Sequence, residues 1–584
     1  MPHHSKRATL SVLPLWLVHY RRENLSSDIV AGAILAILVI PQSLAYALLA
    51  GLPPQVGLYA SILPVIAYIW LGSSSLQALG PVAITSIMTY AVLSPLMAPG
   101  SPQYITMAAG LCLLSGLMTM AFGFLRLGFL SQLLSRPVVS GFISGSAVLI
   151  IISQLKFLLG VQATGSNSWQ SLLSLLEHVQ QTNPVTLTLG ISALLWLMLS
   201  RYGLVPLASR LGWNTKRAEV WVRVMPLVVL ATASVAMVAL ELDTRHQVAV
   251  VGAIKEGLGG IHFFLPGLDD LRTLFAPALI MAFIGTVQNI TMGQALAAKY
   301  RERLEPNREL VGLGAANVVA AFYSGMPVGG GLSRTAINLA AGARTPMASL
   351  SAAISMLLIV LAGTHWFARL PLAVLAASIV VAAISMIDLK AFVQAWNYDR
   401  ADALALLGAA AGVLLLGLEL GIATGILLSL VTLLVRASTP HIAVIGRIVG
   451  TEHFRNVERH GVETIPGALF LRIDESLFFG NLNAVEARLS AELMKDARIC
   501  DLVLIMSAVN RVDTTAMEAL TDVNRDLSAR GIRLHLAEVK GPVQDRLLHS
   551  PLWKALSGKV HMSVNSAFET LAAERRVDTG LYVI

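Results

Sequence analysis

The sequence predicts an α-helical polytopic membrane domain followed by a small soluble α/β domain. Three observations lead there. Only 13% of the residues are charged and 55% are hydrophobic, whereas a soluble globular chain carries roughly 25% charged residues. Apolar runs recur from residue 28 to residue 436, many of them about 20 residues long, the length a spanning helix needs. Beyond Arg436 the charge density rises, and short apolar runs alternate with amphipathic ones, the pattern of strands alternating with helices.

Residues 1–27 are basic and hold no long apolar stretch ending in a cleavage site. No cleaved signal peptide is expected, and the first span itself directs insertion. The apolar segments are 28–50, 56–72, 80–97, 103–125, 137–160, 184–200, 221–241, 273–298, 308–324, 330–342, 346–366, 370–387, 401–418 and 420–436. Fourteen crossings put both termini on one side. Of the Lys and Arg between these segments, about nineteen fall on that side and about five (Lys156, Arg245, Lys255, Arg272 and Arg369) on the other, so the positive-inside rule makes that side the cytoplasm. The glycine spacings Gly141/Gly145, Gly408/Gly412 and Gly417/Gly421/Gly425 predict close helix packing.

The third and tenth segments are short and broken by Gly and Pro. One opens as "GPVAITS" (Gly80 to Ser86), the other as "PVGGGLSRTAIN" (Pro327 to Asn338). Paired broken segments, one in each half, are the sequence pointer to a transporter site. A helix that starts at mid-membrane aims unpaired N–H groups and the positive end of its dipole into the bilayer centre. Two such ends facing each other make an anion pocket. Glycine lets the backbone approach a ligand closely. The plainer reading is two kinked helices packed through small residues.

Arg334 is the only basic residue inside the segments and away from their ends. A charge at that depth is a functional hypothesis by default; the alternatives are snorkelling or the capping of carbonyls. Ser333 and Thr335 offer hydroxyls beside it, and Thr85 and Ser86 do so from the other half. In the first segment Gln42 and Ser43 follow Pro41, read as a breaker, and Tyr46 lies one turn on. The eighth segment carries Gln288, Asn289, Thr291 and Gln294 but no carboxylate, the group a proton or sodium coupling site normally uses.

Several classes are not expected. The net charge of +8 is not pooled in one patch, so nucleic acid is not an expected partner. Cys112 and Cys500 are too few and too far apart for a disulfide framework or a cysteine zinc site. His3, His4 and the other histidines show no metal spacing, and "GLGG" (Gly257 to Gly260) reads as a loop. No enzyme site and no cofactor are expected.

At these residues the sequence resembles the sulfate-permease (SulP) anion transporter family. "IPQSLAYALLAGLPPQVGLYASILPVI" (Ile40 to Ile66) resembles its first two spans, and "LGPVAITS" the start of its third. "YSGMPVGGGLSRTAINLAAGARTP" (Tyr323 to Pro346) resembles the region around its tenth, and "LPLAVLAASIVVAAISMIDL" (Leu370 to Leu389) its twelfth. The resemblance implies two inverted seven-helix repeats divided into a core and a gate domain. It implies an anion, sulfate first, held between the starts of the third and tenth helices. It also implies elevator-like motion of core against gate, and a homodimer in the inner membrane.

Carried over by position, the binding candidates are Gln42, Tyr46, Pro81, Val82, Ser333, Arg334 and Thr335; the helix-start residues Ala83, Gly331 and Leu332 and the neighbouring Gln288 complete the set. Many bacterial and plant members carry a glutamate where Gln288 stands, which puts proton symport in doubt and favours exchange, uncoupled flux or a coupling group elsewhere. Bicarbonate, chloride and dicarboxylates remain alternative substrates.

The expected organisation is a segment 1–27, a transport domain 28–436, a linker 437–463 and a soluble domain 464–584. In the last, "ALFLRI" (Ala468 to Ile473), "DLVLIMSAV" (Asp501 to Val509) and "RLHLAEV" (Arg533 to Val539) read as strands, with amphipathic helices between them. This tail resembles a STAS domain, the module named for sulfate transporters and anti-sigma-factor antagonists. The antagonists carry a phosphorylated serine where Thr514 and Thr515 stand here; a helix cap by Asp513 or Thr514 is the plainer reading. A cytosolic partner of this domain would go with a second class of function, a membrane-tethered anion sensor.

Overall fold

The computed structural model describes residues 14–18, 20–132, 135–161, 168–210, 215–252, 267–300, 303–362 and 367–578. The stretch "GLGG", expected as a loop, and His3/His4 lie outside the described residues. The chain divides into two compact units, Met1–Ser429 and Leu430–Ile584.

Thirteen of the fourteen apolar segments lie in the first unit, and the fourteenth runs across its boundary into the second. Segment one is α1 (Leu25–Leu49). Segment two is two pieces, α2 (Pro54–Tyr59) and α3 (Leu63–Leu71). Segment three is a strand, β1 (Leu79–Pro81), followed by α4 (Ala83–Leu93). Then come α5 (Pro102–Phe124), α6 (Arg136–Leu159), a short amphipathic α7 (Ser168–Glu177), α8 (Pro184–Arg210) and α9 (Thr215–Ala239). The second half opens with α10 (Leu268–Tyr300) and α11 (Pro306–Tyr323). Segment ten is again a strand, β2 (Val328–Gly330), followed by α12 (Leu332–Ala340). The unit closes with α13 (Met347–Ala362), α14 (Leu372–Ile384), a second short amphipathic helix α15 (Leu389–Tyr398) and α16 (Arg400–Leu416), and α17 (Leu418–Ser438) crosses from it into the second unit. Among the described residues, seven helical stretches are by themselves long and apolar enough to cross a membrane.

The strongest helix pairings sort into two bundles. In one, α11 packs on α5 and α3, α10 on α5, and α13 on α1. In the other, α16 and α14 pack on α6, α14 on α8, and α9 on α8. The first bundle holds both broken segments and is the core; the second is the gate. The expected glycine contacts are present inside the gate. A Cβ on Gly141 would lie 2.1 Å from the Leu406 carbonyl oxygen, and one on Gly421 2.6 Å from Val413. Gly417 differs: it has φ +91° with open space around it, so it serves the turn between α16 and α17 rather than packing. Pro41 also departs from expectation, because α1 runs through it unbroken. The break lies instead in segment two, between α2 and α3, at Ser61.

The second unit is a six-stranded sheet in the order β4-β3-β5-β6-β7-β8. Its strands are β3 (Ile442–Arg447), β4 (Phe454–Asn456), β5 (Ala468–Ile473), β6 (Asp501–Ile505), β7 (Arg533–Ala537) and β8 (Val560–His561). The pairs β5–β6, β6–β7 and β7–β8 are parallel, and β3 joins β5 antiparallel. Residues 437–463, expected as a linker, thus contribute two strands. Helices α18 (Leu482–Lys495) and α19 (Thr514–Ala529) link the parallel strands. Leu469, Leu471, Leu502, Leu504 and Leu536 are buried with Leu489 and Leu520 from these helices on one face of the sheet.

At the start of β6 the buried Asp501 receives Arg533 Nε at 2.7 Å, Arg575 Nη2 at 2.7 Å and His535 Nε2 at 3.3 Å. Burial pushes the Asp501 carboxyl up, but the hydrogen bonds from His535, Arg533 and Arg575 outweigh it and hold it well below the usual carboxylate range. The Lys559 N–H donates to His535 Nδ1 at 3.1 Å, which leaves the His535 proton on Nε2, facing Asp501.

Candidate functional site

The two broken segments meet as a two-stranded antiparallel ribbon. Leu79 pairs with Gly330, Gly80 with Gly329 and Pro81 with Val328. Segments three and ten stand seven apart, and their strands run in opposite directions, as inverted seven-helix repeats require. All six strand residues are buried. Extended backbone at this depth must find its partners inside the protein, and each strand supplies them to the other.

Both helices begin immediately past the ribbon, α4 after Val82 and α12 after Gly331, each preceded by extended backbone. Among the described residues no side chain caps either start. The positive dipole ends of both helices therefore lie at one place, beside the ribbon. Val82 reaches across from one start to the other: Cβ atoms built on Gly329 and Gly331 would lie 3.2 and 3.5 Å from its methyls.

Arg334, in the first turn of α12, is buried. Its guanidinium lies across Gly80, so closely that a Cβ there would fall 1.5 Å from Nη1. Nη1 donates to the Leu79 carbonyl at 3.1 Å and to Ser61 Oγ at 3.4 Å; Nη2 donates to Ser43 Oγ at 3.3 Å and to the Pro81 carbonyl at 3.4 Å. Carbonyl capping, one of the alternatives, is thus part of what this side chain does. Among the described residues no carboxylate pairs with it. The charge is held by neutral dipoles and is not cancelled.

The opposite side of the ribbon has a matching arrangement. A Cβ on Gly330 would fall 2.0 Å from Nε2 of Gln77. That amide donates to Asn289 Oδ1, Asn289 Nδ2 donates to Glu309 Oε1 at 2.9 Å, and Tyr68 Oη donates to the same carboxylate. Ser73 N, Ser73 Oγ and Ser74 N reach Glu309 Oε2 at 3.0, 2.9 and 3.1 Å. Glu309 in this way fixes the loop that enters β1. Sequence reading missed it, along with Gln77 and the break at Ser61. Its one signal was a carboxylate shortly after Pro306, which looks like any helix start.

The other expected residues divide. Tyr46, Pro81, Val82, Ala83 and Gly331 are buried at or near the helix starts, with Gln42 half-buried on α1. Gln288 is half-buried and its Nε2 donates to the Gly330 carbonyl at 3.5 Å. The Thr335 hydroxyl accepts from Ala78 N at 3.0 Å and so ties α12 to β1. Thr85 and Ser86 do not present hydroxyl protons to a pocket: both donate to the Val82 carbonyl, at 3.2 and 2.8 Å. The side chains of Leu332 and Ser333 lie outside the described residues. A small cavity between α1, Ser61 and α13 borders Arg334, and its walls are Leu35, Val39, Ala78, Leu79 and Met356; it includes none of the other expected residues. In the second unit Asp513 caps α19, accepting from Ala516 N at 2.8 Å, and Thr514 and Thr515 are exposed.

Fold and site together define a multi-pass membrane protein whose two inverted halves meet at a buried, positively polarised crossing. Residues 25–409 match the sulfate permease family, and residues 461–567 match the STAS domain; the chain belongs to the sulfate permease family. It is 32% identical over 560 residues to a "Probable sulfate transporter" of Mycobacterium tuberculosis, covering 95% of this chain and 97% of that protein. It is 30% identical over 579 residues to "Sulfate transporter 2.1" of Arabidopsis thaliana, covering 95% and 84%. In fold it is similar to the murine Solute Carrier 26 family member A9 anion transporter, with TM-score 0.86 at 21% identity over 98% of this chain and 96% of that one. The transmembrane domain of the cyanobacterium bicarbonate transporter BicA gives TM-score 0.57 at 22% identity, over 70% and 98%.

Proposed function

We propose that this protein carries inorganic anions across the membrane, with sulfate as the substrate, by secondary active transport or exchange. The observation that carries this reading is Arg334, a buried guanidinium that among the described residues has no counter-carboxylate, placed where two helix starts without a described side-chain cap converge. An anion there would meet two positive dipole ends and a fixed positive charge nearby. Val82, Ala83, Gly331 and Leu332 would offer backbone or close contact, and Gln42, Tyr46, Pro81, Gln288, Ser333 and Thr335 would shape the surroundings. The site belongs to the core bundle, so movement of core against gate, as in an elevator, would expose it to each side in turn. We place the protein in the inner membrane as a homodimer with both termini in the cytoplasm. Purified protein in vesicles, given radiolabelled sulfate, bicarbonate, chloride or succinate across pH and sodium gradients, tests the reading. Sulfate uptake above empty vesicles is expected. Uptake of another of these anions alone would reassign the substrate. No flux of any of them would favour an anion sensor acting through the second unit.

A further inference from the structure

Lys156 is a second cation in the membrane unit that the crossing does not use. It stands in the last turn of α6, half-buried. Among the described residues its ammonium meets no carboxylate and no hydrogen-bond acceptor. It lies instead over the ring of Tyr90, 5.7 Å from the centroid, and over that of its neighbour Phe157 at 5.1 Å. Those distances are cation–π contacts. The Tyr90 contact joins the two bundles, since α6 belongs to the gate and α4, which carries Tyr90, starts at the crossing.

Position along the helices gives the contact a place on the anion's path. Tyr90 is seven residues past Ala83, roughly 10 Å along α4 at ~1.5 Å per residue. Lys156 is twenty residues past Arg136, roughly 30 Å along α6, about the thickness of the hydrocarbon core. Arg136 lies on the side rich in basic loops, so Lys156 lies toward the opposite, outer face. A half-buried ammonium parked on an aromatic face has lost part of its water and, among the described residues, has no anionic partner. An anion arriving from outside would be a stronger partner than the ring.

Resting on the anion-transport reading above, we propose that Lys156 is the outer capture site of the transport path: a cation held on Tyr90 between core and gate that engages the incoming anion before it reaches the crossing. The bland alternative is that Lys156 only offsets the negative C-terminal end of the α4 dipole. That role would change stability, and would affect transport from both faces alike.

The test measures radiolabelled sulfate uptake separately from each face, in whole cells for the outer and in inverted membrane vesicles for the inner. Lys156→Gln is expected to raise the outer KM roughly tenfold and to leave the inner KM within about twofold, with Lys156→Arg close to wild type. Tyr90→Leu removes the resting face and keeps the charge, and should move the outer KM less than Lys156→Gln does. Equal changes on both faces, or an unchanged outer KM in Lys156→Gln, would overturn the proposal. If Lys156→Gln fails to reach the membrane, the comparison passes to Lys156→Arg and Tyr90→Leu, and a loss of outer affinity in Lys156→Arg, or an equal change on both faces in Tyr90→Leu, overturns it too. Wild-type protein that moves neither sulfate, bicarbonate nor chloride would instead sink the transport reading itself.

Discussion

Two of the buried charges, one in each unit, are handled in opposite ways. Asp501 is surrounded by two guanidinium groups and an imidazole. Arg334 has two carbonyls and two hydroxyls. A buried ion that is fully paired belongs to the architecture; removing one partner chiefly destabilises. A buried cation held only by dipoles where two helix starts converge keeps an outward positive field, and in a membrane such a charge is a candidate for an anion's path. The contrast separates a charge that ties a sheet together from one available to a passing anion.

The largest effect is expected at Arg334. Arg334→Ala should cut anion uptake by about two orders of magnitude, in line with truncating a desolvated charged contact, while Arg334→Lys keeps a measurable fraction; uptake in vesicles normalised to folded protein is the check. Uptake equal to wild type would place Arg334 with Asp501, among the architectural charges. Next, Asp501→Asn should cost the second unit about 2 kcal/mol, below the usual range for a broken buried pair because Arg533 is half-exposed and keeps Glu574. Its denaturation midpoint should fall while sulfate KM holds.

A smaller effect concerns His561, whose Nε2 lies 3.2 Å from His535 Nδ1. Burial, with the nearby His535 and Lys559, pushes the His561 imidazole below its ordinary value. The proton therefore favours the unfolded chain. Stability is full above about pH 6.5 and declines as pH falls through it. Asp501, whose folded value is also depressed, adds a second loss only below about pH 4. Limited proteolysis of the second unit should be faster at pH 5.5 than at pH 7.5, and His561→Gln should flatten that difference. The smallest effect is expected at Thr514. Asp513 already caps α19, and an added anion beside that carboxylate gains little, so Thr514→Asp should shift stability by no more than about 0.5 kcal/mol and leave uptake unchanged.

The same contrast explains what the sequence revealed. Spans are set by apolar length, and breaks by Gly and Pro, both local properties. Hence all fourteen segments and the interruptions near Gly80 and Gly331 were legible, and so was Arg334 as the lone inner cation. The ribbon was not. Its strands have three residues each, too few to show alternation, and each finds its partner in the other half of the chain. Pro41 looked like a breaker, yet α1 continues through it; Ser61 looked like ordinary span and is the true interruption. Glu309 was hidden because a carboxylate near a helix start reads as a surface residue until its five donors are seen. In the tail, β3 and β4 lay in a stretch whose charged surroundings read as linker.

The ribbon also bears on biosynthesis. About 250 residues separate Gly80 from Gly329, so at ~5–20 residues per second roughly 10–50 s pass between translation of the first strand and of its mate. Throughout that interval the nascent first half carries bare amides and carbonyls that lipid cannot satisfy. Release into the bilayer must wait, or a helper in the insertion machinery must shield that edge, until the second half emerges to zip the halves together.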